Sequence, residues 1–136
     1  MKYISIFYIL LISFNIFSSK FLENKILSFG DADEITTITK DDETALCEAI
    51  NTLNKSGGTI YINTPIINIS SKCQITLSGS TAGGIIGIKQ SDDTYPRLEF
   101  TKARKENPGQ AGIKISGSNQ YVKYLIIDIG LLAIKI

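Results

Sequence analysis

The chain has no histidine and no tryptophan. The first absence takes imidazole out of the chemistry, so Ser-His triads, His-based acid–base catalysis and most zinc sites are excluded. A large excess of charge of one sign is also missing. Against 13 Asp and Glu stand 14 Lys and Arg, a net charge of +1, and nothing forms the basic stripe that a nucleic acid requires. Asn-Gly, the strongest short-range hairpin signal, does not occur. No helical periodicity follows Gly58, which disfavours a βαβ sheet. With 136 residues the chain has material for one domain with a core and too little for two.

What is there begins with "MKYISIFYILLISFNIFSSK". Lys2, an apolar run from Ile4 to Phe17, and the small residues Ser18 and Ser19 have the layout of a secretory signal peptide. The run is shorter than the roughly 20 residues that span a bilayer comfortably. Residues 1–19 are therefore expected to direct export and be removed, leaving an extracellular protein with no membrane partner; an uncleaved anchor is the alternative. Cys47 and Cys73 suit an oxidising compartment. A bridge between them would stabilise by about 3 kcal/mol through loop closure, and two buried thiols are the alternative. Asn54 in "NKS" and Asn68 in "NIS" are glycosylation sequons, usable where exposed after export.

Residues 20–40 mix apolar and acidic side chains without a sustained period and read as a lead-in with at most a short strand. In "DDETALCEAINTLNKSGG", Leu46, Ala49, Ile50 and Leu53 form one stripe of a helix over about residues 42–56. Asp41 or Asp42 supplies the N-cap, Lys55 suits the last turn, and Gly57 can end the helix in a left-handed conformation. After Gly58 come short β-branched runs: "TIYI", "PIINI", "QITLSGS", "GGIIGIKQS", "RLEFTK", "GIKISGS", "YVKYLIIDI" and "LLAIKI". Most alternate apolar with polar residues, as half-buried strands do. "QITLSGS", at Gln74 to Ser80, resembles "GIKISGS", at Gly112 to Ser118, and hints at a repeated unit. A β-sandwich and a β-solenoid both fit this pattern. A lone amphipathic helix ahead of the strands favours the solenoid, whose end must be capped against edge-to-edge association.

"DDETALCEAINTLNKSGGTIYINTPIINISSKCQITLSGS" resembles the start of pectate-lyase-like, right-handed parallel β-helix proteins, which commonly open with a "TALxxAI" helix and then "GGTIYI". "GIIGIKQSDDTYPRLEFTKARKENPGQAGIKISGSNQYVKYLIIDIG" is similar to secreted pectate lyases of the polysaccharide lyase family 9 type, which carry "GxxISGSNxYVKxLIIExA" ahead of their catalytic coils. The likeness spans roughly residues 40 to 130. It implies an all-β fold: an incomplete right-handed parallel β-helix over residues 41–136, with one capping α-helix at its N-terminal end. It also implies calcium-dependent cleavage of pectic polysaccharide by β-elimination. In that chemistry aspartate-held calcium binds the substrate carboxylate, and a lysine removes the C5 proton. Those aspartates and that lysine belong to coils beyond this chain's last residue, so no catalytic or metal-binding residue is carried over. Where the family reads like "IIENAGDNGIWI", this chain has "IIDIGLLAIKI". It keeps Ile126, Ile127, Gly130, Ile134 and Ile136 and lacks the polar turn.

Within the chain, Asp92 and Asp93 are the best pair for a cation, but calcium takes 6–8 oxygen ligands and a solvated turn is the expectation. Lys102, Arg104 and Lys105 would attract an anionic polysaccharide, from a loop expected to protrude. Lys114 and Lys123 sit in strand patterns on polar, outward positions, without the partner that would make either a base. Gly57–Gly58 and Gly83–Gly84 lack a P-loop ending and suit a helix stop and a coil turn. The expected protein is thus the N-terminal part of a secreted pectate-lyase-like enzyme, inactive alone. A non-catalytic solenoid that binds carbohydrate or protein, and a pectin hydrolase of the same fold, are the alternatives.

Overall fold

The computed structural model describes residues 31–130 and 133–136. Residues 1–19, read above as a signal peptide, lie outside the described residues, as does most of the lead-in. The helix α1, Glu43–Ser56, forms where the sequence places it. Of the two candidate caps it is Asp42 whose carboxylate accepts the Ala45 N–H, at 2.9 Å. Gly57 ends the helix at φ 74, its N–H donating to Leu53 O at 2.8 Å. Leu46, Ala49, Ile50 and Leu53 are all buried against the strands.

The strands are short. β1 is Glu34–Ile38, β2 Gly58–Ile62, β3 Ile66–Asn68, β4 Ile75–Leu77, β5 Gly83–Gly87 and β6 Arg97–Glu99. β7 is Ile113–Ile115, β8 Gln120–Lys123, β9 Ile126–Asp128 and β10 Ala133–Lys135. From β2 to β9 consecutive strands go to different sheets, and partners among them are separated by one strand of each other sheet, whereas β1 pairs directly with β2 and β9 with β10. The first sheet has the order β1-β2-β5-β8, the second β10-β9-β6-β3, and the third holds β4 and β7. Apart from β9–β10, every pairing is parallel.

In-register parallel pairing stacks like on like. Ile60, Ile85 and Val122 align in the first sheet, and Ile67, Leu98 and Ile127 in the second. Their inward side chains form one core with the stripe of α1. Fully burying each Ile or Leu contributes about 1.5–3 kcal/mol, which is how strands of three residues hold. The repeat seen in the sequence is a true structural repeat: Ile75 pairs with Ile113, Thr76 with Lys114 and Leu77 with Ile115. Its "SGS" corners stack as well, Ser118 N donating to Gly79 O at 3.1 Å.

Four expectations need correction. The loop expected after Glu99 contains a helix, α2 (Thr101–Glu106), followed by a 3-10 turn at Pro108–Gln110. Ala103 is its single buried residue, so no apolar stripe announced it, and the domain is mostly parallel strands with two helices. Gly83 and Gly84 lie inside β5 and make no turn. A Cβ on Gly84 would collide with the Tyr121 main chain and ring. "YVKYLIIDI" is two strands, broken at Tyr124, which takes φ 58. Finally, β10 folds back antiparallel on β9, Ile134 facing Ile127. Gly130 at φ 83 allows the reversal, and its N–H donates to the Asp128 carboxylate at 2.8 Å.

Candidate functional site

In β2, β5 and β8 the residues that alternate away from the core face outward together. Tyr61, Ile86 and Ile88 make a second, separate apolar cluster there, with Tyr121 and Tyr124 packed against it. The register explains the grouping, since Tyr61 pairs with Ile86, and Ile86 with Lys123. Gly84, opposite Tyr121, leaves the space its ring occupies.

The segment ahead of β1 is held across this face. Ala32 N–H donates to Tyr121 Oη at 2.8 Å, and Thr59 Oγ1 donates to Ala32 O at 2.5 Å. The Thr59 proton is thus engaged, so in the 2.5 Å contact between the two hydroxyls Tyr121 is the donor. Lys123 Nζ lies 2.6 Å from the Asp31 carboxylate, whose side chain is only 5% exposed. Lys123 therefore has the acidic partner that its sequence context did not show, and it serves as an anchor for this segment. Burial raises the Tyr61 hydroxyl above its ordinary pKa, and the charges of Asp31 and Glu34 and the neighbouring Tyr121 add to the effect.

Beside the cluster, Tyr95 and Tyr124 stack with ring centroids 5.8 Å apart and an interplanar angle of 20°. Lys89 Nζ and Lys135 Nζ lie 5.9 and 5.3 Å from the Tyr95 centroid. Lys123 Nζ lies 5.0 Å from that of Tyr121. Lys89 also pairs with the exposed Asp93 at 2.7 Å, and that hydrogen bond with its charge raises the Lys89 pKa. Tyrosines and lysines are thus interleaved along one surface. Sequence reasoning missed Tyr95 and Tyr124 because the two are far apart in the chain and meet only through the register.

The other candidates are scattered. Asp92 accepts from Thr94 Oγ1 at 2.6 Å and from its N–H at 3.2 Å, and the side-chain bond leads in lowering its pKa. Asp93, at φ 70, turns to Lys89, so the two carboxylates form a solvated turn. Lys114 is exposed. Lys102 and Lys105 line one groove beside α2 with Asn68, Glu99 and Glu106. Arg104 instead donates to Ile129 O at 3.3 Å, in a second groove with Gly130. Acidic residues thus accompany the lysines of the basic trio, which is not a uniform cationic patch. A third groove, at the C-terminal end of α1, is bordered by Asp31, Asp33 and Glu34.

Cys47 and Cys73 form a disulfide with Cα atoms 5.9 Å apart. The bridge is the centre of a longer seam between α1 and residues 68–78. Asp41 accepts from Asn68 N–H and Nδ2, at 2.8 and 2.7 Å. Glu43 accepts from Ser70 N–H, Ser70 Oγ and Lys72 N–H, between 2.7 and 2.9 Å. Asn54 donates Nδ2 to Thr76 O and accepts Ser78 N–H. Both sequon asparagines therefore spend the nitrogen a glycan would use on a bond within the seam. For Glu43, burial acts to raise the carboxyl, but the Ser70 hydroxyl, the Lys72 and Ser70 amides and the Lys72 charge together hold it below its ordinary value.

No three His, Cys, Asp or Glu side chains among the described residues are grouped to hold a metal. Among the described residues the calcium implied by the resemblance thus has no such set to hold it. No described helix is long and apolar enough to cross a membrane. The chain matches no protein-family model, no curated protein and no solved structure.

Proposed function

We propose that the described residues are the helix-capped N-terminal coils of a right-handed parallel β-helix, in a secreted protein that acts on acidic plant polysaccharide as pectate lyases do. One observation carries the reading. Strands that alternate among three sheets return in register, so that Ile75 meets Ile113 and Ile85 meets Val122, as successive coils of a solenoid would. Parallel crossovers are right-handed in the great majority of folds. The disulfide is compatible with an extracellular location. In this reading α1 and the first coils supply scaffold and a binding face, and β-elimination is carried out by groups outside the described residues.

The test is the release of unsaturated uronate from polygalacturonate with calcium, followed by absorbance, using this chain alone. No release above the blank is expected. Turnover would show that the described coils hold the active site and would sink the scaffold role. The non-catalytic alternative has one observation in its favour, the tyrosine–lysine face. It predicts that the chain is retained on immobilised polygalacturonate, and free passage through the column would count against it.

A further inference from the structure

The face beside the Tyr61–Ile86–Ile88 cluster has a more definite chemistry than a general surface. Tyr95 and Tyr124 are both half-buried, Tyr124 packed against the apolar cluster and Tyr95 stacked on Tyr124. Neither phenol hydroxyl has a hydrogen-bond partner among the described residues, and neither is sealed from solvent. Tyr124 is held at φ 58, a conformation that bulky residues rarely adopt. It is permitted because Gly87 has no Cβ to strike the Tyr124 carbonyl oxygen. Asp93, at φ 70, turns the opposing segment so that Lys89 and Tyr95 reach the same place. Strained positions on both sides of an aromatic pair mark an arrangement that local preference alone would not select.

Two ammonium groups approach one ring. Lys135 has no carboxylate partner among the described residues and is exposed, whereas Lys89 shares its charge with an Asp93 side chain that is 84% exposed. An exposed pair of that kind is weak and exchangeable. An incoming carboxylate can therefore replace Asp93 at Lys89 and meet Lys135 at the same time. A ring of aromatic carbon, two cations and two free hydroxyls match a carboxylated pyranose: apolar C–H face, carboxylate and hydroxyls in one compact unit. A neutral sugar leaves the cations unmatched, and a small inorganic anion leaves the ring and the phenols unmatched.

We propose that Tyr95 and Tyr124, with Lys89 and Lys135, form a binding platform for a uronate residue of an acidic glycan. The inference deepens the reading above and rests on it for the class of ligand. The platform holds a chain of sugars against the first coils and takes no part in bond cleavage.

Because the protein has no tryptophan, its emission comes from six tyrosines, of which Tyr95 and Tyr124 are two. The full chain is titrated with trigalacturonate, with its neutral counterpart trigalactose, and with inorganic phosphate. Trigalacturonate is expected to change the emission and to bind about tenfold or more tightly than either control. Lys135→Gln and Lys89→Gln are each expected to weaken it about tenfold, Tyr95→Leu by at least as much, and Tyr95→Phe by only a few-fold. Lys102→Gln, at a lysine that makes no cation–ring contact with the platform tyrosines, is expected to change nothing. Lys135 is exposed, so its substitution leaves the fold intact and keeps the test decisive. Trigalacturonate binding that survives Lys135→Gln, Lys89→Gln and Tyr95→Leu overturns the platform while leaving the polyuronide reading standing. Equal affinity for trigalactose or phosphate overturns the uronate assignment. No binding of trigalacturonate by the unmodified chain overturns both.

Discussion

The two ends of this stack of strands are built alike and finished differently. At the α1 end the strands are covered: Leu46 and Leu53 are 0% exposed, and a seam of polar bonds with a disulfide at its centre fastens the helix to residues 68–78. At the other end β7 and β8 are the last strands of their sheets, Ile115 is 50% exposed, and Ile113 and Val122 are only half-buried. Only the second sheet is closed there, by β10 turned back on β9. An edge strand leaves unpaired N–H and C=O groups that another element must cover. A helix laid across that edge removes the problem, and another short strand removes it for one sheet alone.

This contrast can be broken by substitution, and the largest effect belongs at the sealed end. Leu53→Ala removes a fully buried side chain from the α1 stripe and is expected to cost about 2–5 kcal/mol in chemical denaturation. An equal loss from Ile115→Ala would show that the two ends are energetically alike. Cys47→Ser with Cys73→Ser opens the bridge that closes a span of 26 residues and is expected to cost about 2–4 kcal/mol. A smaller loss would mean that the polar seam holds α1 without it.

Glu43→Gln is expected to cost about 1–3 kcal/mol, because one oxygen of the seam becomes a donor facing donors. It also has a pH signature. The folded carboxyl lies below its ordinary value of 4.5, so its contribution is full above that value and is lost as pH falls through the folded value. The parent chain should lose stability over that acidic range more steeply than the Glu43→Gln variant, and parallel pH profiles would contradict the assignment. Asp42→Ala, which removes the N-cap, is expected to cost about 1 kcal/mol. Smallest of all, Ile115→Ala should shift stability by no more than about 0.5 kcal/mol.

Much of the scaffold was legible because its signals are local. The stripe and both caps of α1 lie within one stretch of chain, and the likeness of "QITLSGS" to "GIKISGS" anticipated the Ile75–Ile113 register. The misreadings have one cause: they concern positions where a neighbour distant in sequence decides. Gly84 reads as a turn residue until Tyr121 is found against it. Lys123 reads as an unpaired strand lysine until Asp31 crosses the face. α2 has a single buried residue and so no periodicity to read. The candidate site was the least legible part, since Tyr95 and Tyr124 are far apart in the chain and meet only in the tertiary structure.

By itself the amino-acid sequence determined the capped helix, the succession of short strands, the absence of imidazole chemistry and a cysteine pair suited to bridging. These follow from capping, periodicity and composition, which act over a few residues. Only the tertiary structure decided that the strands return in register on three sheets, that Asp42 caps while Asp41 holds Asn68, that β10 turns back, and that tyrosines and lysines converge on one face. Each of those depends on which strand lies beside which. That is set by the packing of the whole core, and no short stretch of sequence contains it.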